Sequence, residues 1–274
     1  MEIISGKQLA DEIKSKLQSA NQEEGISPCL AMIDVGENPE NSLYIGLKET
    51  AVKFIGGQAK RINLPATASP VEVLTTIRTM NDDHEVHGIL LQLPLPADLE
   101  PHRESFLEAI VPYKDVDGFC PHNRGLLIGS EPVFVSCAAQ ACLEVSRQYA
   151  GPLQGKKVLL VGNSFDVIQP LALLFIKEKC LVSIVPQYSV EHADGVDVAV
   201  IEHGTPLQVK QQAIKPGALV IDAGFHWFDN RTCGNVDRDA LAEIPGYLLP
   251  VPGGLGPLLI AHLMTNLSRA ARKQ

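Results

Sequence analysis

Hydrophobic side chains fall into two rhythms along this chain. Leu9, Ile13 and Leu17 recur every four residues, as on one face of a helix. Ser5 with Gln8 makes a plausible capping box ahead of them, so a helix is predicted through about Ser19. Short unbroken apolar runs form the second rhythm. Cys29 to Val35 reads as a strand, and Asn41 is placed to cap the following helix, which carries Tyr44 and Lys48. Ile62 and Leu64 end a short strand, and Pro70 to Met80 has amphipathic helical spacing. The run Gly88-Ile89-Leu90-Leu91-Gln92-Leu93 is apolar on both faces except at Gln92, the pattern of a buried parallel strand. Phe106 to Ile110 reads as a helix end, and the polar stretch to Gly129 shows no period.

The alternation resumes near Ala138 with a helix to about Tyr149. Lys157 to Gly162 reads as strand then turn, and Ile168 to Lys177 as helix. Leu181 to Val185, Val196 to Ile201 and Ala218 to Asp222 are further strands, with Leu207 to Ala213 a helix between the last two. Strand–helix–strand succession of this kind predicts a parallel sheet with helices on both faces. Pro250 to Pro257 is a rigid turn, and Leu258 to Ala271 a final helix. Two α/β lobes with a cleft between them are the predicted architecture.

Composition narrows the function classes. A chain of 274 residues has room for one large domain or two ordinary ones, and 45% apolar with 20% charged residues is globular usage. The net charge of −9 and the lack of a basic stripe argue against nucleic acid; Arg269, Arg272 and Lys273 read as a helix end. No run nears the roughly 18 to 20 apolar residues of a membrane span. Met1 to Gly6 lacks the basic and apolar parts of a signal peptide. Six scattered cysteines without a CxxC pair predict reduced thiols, a cytoplasmic location and no metal site.

The candidate chemistry starts from Tyr44 and Lys48, which at i and i+4 share one helix face. Taken singly, Lys48 is an ordinary surface lysine and Tyr44 an edge of the core. Gln92 is harder to set aside, because a polar side chain inside an apolar strand must find a partner. A lysine that lost its water there would have a lowered pKa and could act as a base.

Six segments, in order, carry a wider likeness: Tyr44-x-x-x-Lys48, Gly88 to Pro96, Lys114-Asp-Val-Asp117-Gly118-Phe119, Asn123-x-Gly125, Ile214 to Asp222, and Pro250 to Pro257. Through them the chain resembles the methylenetetrahydrofolate dehydrogenase/cyclohydrolase family along nearly its whole length. The resemblance implies a three-layer α/β folate domain (1–137 plus 256–274) and a Rossmann-like domain (138–255), with the last helix returning to the first. It also implies a homodimer, and tetrahydrofolate as the carrier of a one-carbon unit. Lys48 would be the central catalytic group, with Tyr44, Gln92 and Asp117 lining the pocket and Pro252 and Gly253 adding substrate contacts.

The cofactor lobe departs from the family pattern. Family members generally carry Gly-Arg-Ser, two residues, then Val-Gly-x-Pro after the first strand; here Gly162-Asn163-Ser164-Phe165-Asp166-Val167-Ile168-Gln169-Pro170 stands there. Asn163 replaces an arginine, Ile168 a glycine that admits a pyrophosphate, and Asp166 reads as a helix cap with the wrong charge for a phosphate. Glu202 adds an acid in a loop the family fills with small apolar residues, and Asn235 stands where the family usually has Asp. The expectation is therefore a cyclohydrolase acting on 5,10-methenyltetrahydrofolate, with NAD(P) binding and dehydrogenase activity weak or lost. Any cofactor would use Gly162, Asn163, Ser164 and Phe225. Two alternatives stand beside it: the ordinary bifunctional enzyme, and a non-catalytic or repurposed folate-binding paralogue.

Overall fold

Runs of Val, Ile and Leu four to seven residues long suit strands covered on both faces, and the computed structural model of the chain places most of them so. It describes residues 1–36, 38–210 and 214–273. The elements in order are β1 (Glu2–Ile3), α1 (Gly6–Glu24), β2 (Cys29–Val35), α2 (Pro39–Phe54), β3 (Gln58–Leu64), α3 (Pro70–Asp82), β4 (Gly88–Leu91), a 3-10 turn (Glu100–His102), α4 (Arg103–Ala109), α5 (Pro121–Gly129) and α6 (Cys137–Tyr149). They continue with β5 (Lys157–Val161), α7 (Ile168–Lys177), β6 (Leu181–Val185), α8 (Val190–Ala193), β7 (Val198–Ile201), β8 (Ala218–Asp222), β9 (His226–Phe228), β10 (Arg231–Cys233), β11 (Gly246–Leu249) and α9 (Leu255–Ala271). None of the described helices is long and apolar enough to cross a membrane.

One unit comprises Asp11–Cys137 and Ile260–Gln274. Its sheet runs β3-β2-β4, parallel throughout, and every residue of β2 is buried. Ser69 and Glu72 form a capping box at α3. The end of α3 is held by Lys114, whose Nζ donates to the carbonyls of Met80, Asn81 and Asp83 at 3.3, 2.7 and 2.8 Å. Two expectations are corrected here. Asn41 lies inside α2 and does not cap it; Asn38 Oδ1 accepts from the Asn41 amide, which frees the Asn41 side chain to donate to the Pro94 carbonyl. The stretch before Gly129, without period in the sequence, contains helix α5, started by Pro121 and by Cys120 Sγ accepting from the Asn123 amide. Only Asn123 and Leu127 of α5 are buried, too few to make a readable stripe.

The other unit comprises Met1–Ala10 and Ala138–Leu259. Its six strands are parallel in the order β1-β11-β8-β7-β5-β6. The N-terminal residues thus belong to this sheet: β1 pairs with β11, and the terminal ammonium donates to the carbonyls of Leu241 and Ala242. The helix expected over Leu207 to Ala213 is absent from Leu207–Lys210. Leu207 has φ +56° and Val209 bridges Val236, neither compatible with a helix; residues 211–213 lie outside the described part. A two-stranded antiparallel ribbon, β9 with β10, was not foreseen; Asp229 and Asn230 turn it with φ of +51° and +57°.

Candidate functional site

Two places concentrate chemistry, one in each unit. In the first, α2 delivers Lys48 and the residue after β4 delivers Gln92. The Gln92 amide donates to the Ile33 carbonyl at 2.8 Å, so its backbone prolongs the ladder beside β2 and its side chain is aimed by the sheet. Lys48 Nζ donates to Gln92 Oε1 at 3.0 Å, and Gln92 Nε2 donates to the Leu93 carbonyl at 2.6 Å. Both side chains are buried, as is Asp117. Loss of water pushes the Lys48 ammonium below its usual range, and the Asp117 carboxylate opposes that shift. Cys137 also faces this amine, but burial holds its thiol well above the ordinary value, so it adds no charge at neutral pH. Asp117 is therefore the counter-charge.

Asp117 stands in a turn whose geometry is fixed from below. Gly118 follows with φ +72°, and a Cβ there would lie 2.4 Å from the Val135 carbonyl carbon, so only glycine fits. Asp115 accepts from the amides of Phe119 and Cys120 at 3.0 and 2.9 Å and from Asn123 Nδ2 at 2.8 Å. Asn266 of α9 donates to the Val116 carbonyl at 2.8 Å. Sequence reasoning passed over Asp115 and Asn266. The signal for Asn266 was a lone amide on the apolar face of the final helix, which needs a buried partner. Tyr44 sits one turn before Lys48 on α2, half-buried.

Of the other expected site residues, Pro252 and Gly253 belong to the second unit, where they are exposed in the turn before α9, Gly253 at φ +90°. Phe225, also of the second unit, is 56% exposed just before β9. Gly162, Asn163 and Ser164 lie at the C-terminal end of β5. The sheet order changes direction there, with β6 on one side of β5 and β7 on the other, the crevice in which open parallel sheets bind ligands.

The contents of that crevice correct several expectations. Ile168 is fully buried and packs against the turn, with Cγ1 3.1 Å from where a Cβ on Gly162 would be. Asp166 is not the cap of α7. The Ser164 hydroxyl accepts from the amides of Val167 and Ile168 at 3.2 and 3.1 Å, so two first-turn donors are already satisfied. The occupant is Glu202, from the end of β7. Gly162 has φ +136°, and a Cβ on it would lie 2.4 Å from Glu202 Oε2: the carboxylate fills the space that the glycine leaves open. Ser164 hydrogen-bonds this carboxylate through its hydroxyl and its amide, while Oε2 is buried with no hydrogen-bond partner. Burial pushes the Glu202 carboxyl up, and Asp166 adds to the shift. Asn235 braces this end of β7, donating to the carbonyls of Ile201 and Glu202 at 3.1 and 2.9 Å, which a carboxylate could not do. In this turn the Ser164 donors and acceptor and the space over Gly162 are taken up by protein groups.

A family model described as "Tetrahydrofolate dehydrogenase/cyclohydrolase, catalytic domain" matches residues 4–117, and one described as the NAD(P)-binding domain of the same proteins matches residues 136–274. The chain is 52% identical over 277 residues to the bifunctional protein FolD 1 of Syntrophomonas wolfei, with all of both chains covered. It is 37% identical to the bifunctional protein FolD of Cupriavidus necator, over 99% of this chain and 98% of that one. Among solved structures, the FolD dehydrogenase/cyclohydrolase of Campylobacter jejuni superposes with a TM-score of 0.93 at 32% identity, covering 100% and 99% of the two chains. The Trypanosoma brucei enzyme, solved with NADP and an inhibitor, gives 0.91 at 28%, covering 99% and 97%.

Proposed function

The chain belongs to the tetrahydrofolate dehydrogenase/cyclohydrolase family, and from that premise we propose that it is a bifunctional enzyme of one-carbon folate metabolism. It would oxidise methylenetetrahydrofolate to the methenyl cation and hydrolyse that cation to 10-formyltetrahydrofolate. The observation that carries the reading is the buried Lys48–Gln92 contact of 3.0 Å with Asp117 as counter-charge. Hydrolysis needs a base near an electrophilic carbon. The neutral Lys48 amine takes a proton from water as the oxygen bonds to the methenyl carbon. The ammonium so formed returns a proton to the ring nitrogen as its bond to that carbon breaks, and the remaining hydroxyl proton leaves to solvent as the formyl C=O forms. Gln92 Oε1 accepts a hydrogen bond from the amine in both protonation states, which fixes its direction. A cationic substrate lowers the Lys48 pKa further by like charge. Tyr44 flanks the ring system, and Asp117 serves its amino edge.

The oxidative half needs a hydride acceptor, which NAD(P) supplies when bound. The Glu202 carboxylate beside Gly162 favours a second reading for that half alone: hydrolysis dominates and dehydrogenase activity is weak. Pro252 and Gly253 are proposed as further substrate contacts. The enzyme is proposed to work in the cytoplasm as a homodimer, for which β6, an edge strand with Leu181 and Ile184 exposed, offers a surface.

The deciding experiment follows the absorbance of methenyltetrahydrofolate with wild type and Lys48→Met. Wild type is expected to accelerate decay over the spontaneous rate, and the variant to lose that acceleration. No acceleration by wild type would leave a folate-binding paralogue without this activity. NAD+ or NADP+ reduction by methylenetetrahydrofolate then separates the two readings of the oxidative half.

A further inference from the structure

Glu202 is held where a flexible surface acid would not be. Its amide donates to the Val161 carbonyl at 2.9 Å, tying it to the end of β5, and Asn235 Nδ2 holds its carbonyl. Asn235 is in turn oriented by His226, whose Nε2 lies 2.9 Å from Asn235 Oδ1. With both ends of its backbone fixed, the side chain turns back over Gly162, and 13% of it remains accessible. Several groups among the described residues face it. The β5–α7 turn contributes the Ser164 donors and the Asp166 carboxylate, and the neighbouring His203 places Nε2 at 3.7 Å from Oε2. From α6 comes Cys142, whose thiol is pushed up to about 12 by burial and stays neutral. Oε2 itself is left without a hydrogen-bond partner.

An ionised Glu202 and a pyrophosphate would put two anions on one glycine in a desolvated crevice, where like charges cost most. A protonated Glu202 reverses this. The carboxyl then carries a proton it can donate, and a phosphate oxygen is an acceptor, so the repulsion between two anions becomes a donor–acceptor pair. We infer that Glu202 is the specificity-determining residue of this turn, admitting the cofactor's phosphate only with a proton on its carboxyl, so that binding of NAD(P) takes up one proton. The inference rests on the proposed function only in taking a nicotinamide dinucleotide as the ligand. It identifies a residue outside the glycine turn as the one that governs affinity, and gives that affinity a pH dependence.

The sign follows from the equilibrium. The empty site loses the Glu202 proton as pH rises, whereas the loaded site keeps it. Affinity therefore falls with rising pH, by up to about tenfold per pH unit above the titration of the free site. The test is calorimetric titration of the full-length protein with NAD+ and with NADP+ between pH 5.5 and 8.5, in two buffers of different ionisation enthalpy. Wild type is expected to bind more weakly as pH rises and to show an enthalpy that depends on the buffer, the mark of proton uptake. Glu202→Gln keeps the shape without the charge; it should bind at pH 8 on the order of tenfold or more tighter than wild type. Its affinity for NAD+, which has no phosphate monoester titrating in this range, should be flat with pH and its enthalpy independent of the buffer. Glu202→Ala is the second variant, with circular dichroism and thermal unfolding to establish that each protein is folded. Wild-type affinity that ignores pH, or variants that bind no tighter than wild type at pH 8, would overturn the inference. So would failure of all three proteins to bind either nucleotide at millimolar concentration. Methenyl hydrolysis, measured on the same wild-type preparation, reports on the proposed function separately: its absence beside proton-linked binding defeats that function and leaves Glu202 in its role.

Discussion

The Lys48 pocket and the Gly162 turn are built alike and end differently. In each, the end of a parallel strand meets an ionisable side chain largely withdrawn from water: Lys48, brought by α2 beside the end of β4, and Glu202, 13% accessible, just after β7. In each, loss of water drives the group toward its neutral form, the amine downward and the carboxyl upward. The difference lies in the partners. Lys48 has an acceptor at 3.0 Å and an opposite charge, so its neutral and charged forms are both accommodated, as a proton-transfer group requires. Glu202 has an oxygen with no partner and a second acid nearby, so its charged form is the strained one. Burial alone therefore does not identify a catalytic residue; what counts is whether both protonation states find partners.

The comparison breaks most sharply at Lys48. Lys48→Met should lower the hydrolysis rate by about 10³-fold or more, near the upper range of what a positioned acid–base group contributes. A variant within tenfold of wild type would mean that water is activated elsewhere. Gln92→Met, which removes the acceptor while keeping bulk, should cost roughly 10- to 100-fold in kcat and less in KM, since the amine remains but loses its direction. An equal loss confined to KM would make Gln92 a binding residue only. On the other side, Gly162→Ala forces a Cβ into φ +136° and to 2.4 Å from Glu202 Oε2. Thermal or urea unfolding should show a loss of about 1 to 3 kcal/mol. Gly162→Ala in a Glu202→Gly background should recover part of that loss; no recovery would show that backbone strain is the whole effect. The smallest effect is in the pH profile. Hydrolysis should rise with pH through an apparent pKa below the roughly 10.4 of a free lysine, because the working form is the neutral amine. Asp117→Asn removes the charge that favours the ammonium, so the midpoint should move further down; an upward shift would remove Asp117 as the counter-charge.

Much of the first region is legible in the sequence. Gln92 is a polar residue in an apolar strand and needed a partner, and Tyr44 with Lys48 marked one face of a helix. Asn266, Asp115 and helix α5 were not read, because a single amide or two buried positions leave no periodic trace. In the second region the composition of the turn was legible and its geometry was not. Ile168 packs against Gly162, Asp166 is not the cap, and the carboxylate over Gly162 comes from the end of a different strand, which no local pattern announces. Asn235 stands where the family usually has Asp, and only the fold shows that its amide pins the end of β7.

What the chain determines by itself is local. Apolar runs of four to seven residues separated by helical spacing select parallel strands and covering helices, because backbone and side-chain preferences act within a few residues. Tertiary structure alone decides which residues distant in sequence share a dry space. Gly162 and Glu202 meet because β5 and β7 are neighbours in the sheet, and Lys48 reaches Gln92 because α2 packs in the same unit as β4. Desolvation depends on everything that surrounds a group at once, so the charge state of Lys48 and of Glu202 is a property of the fold.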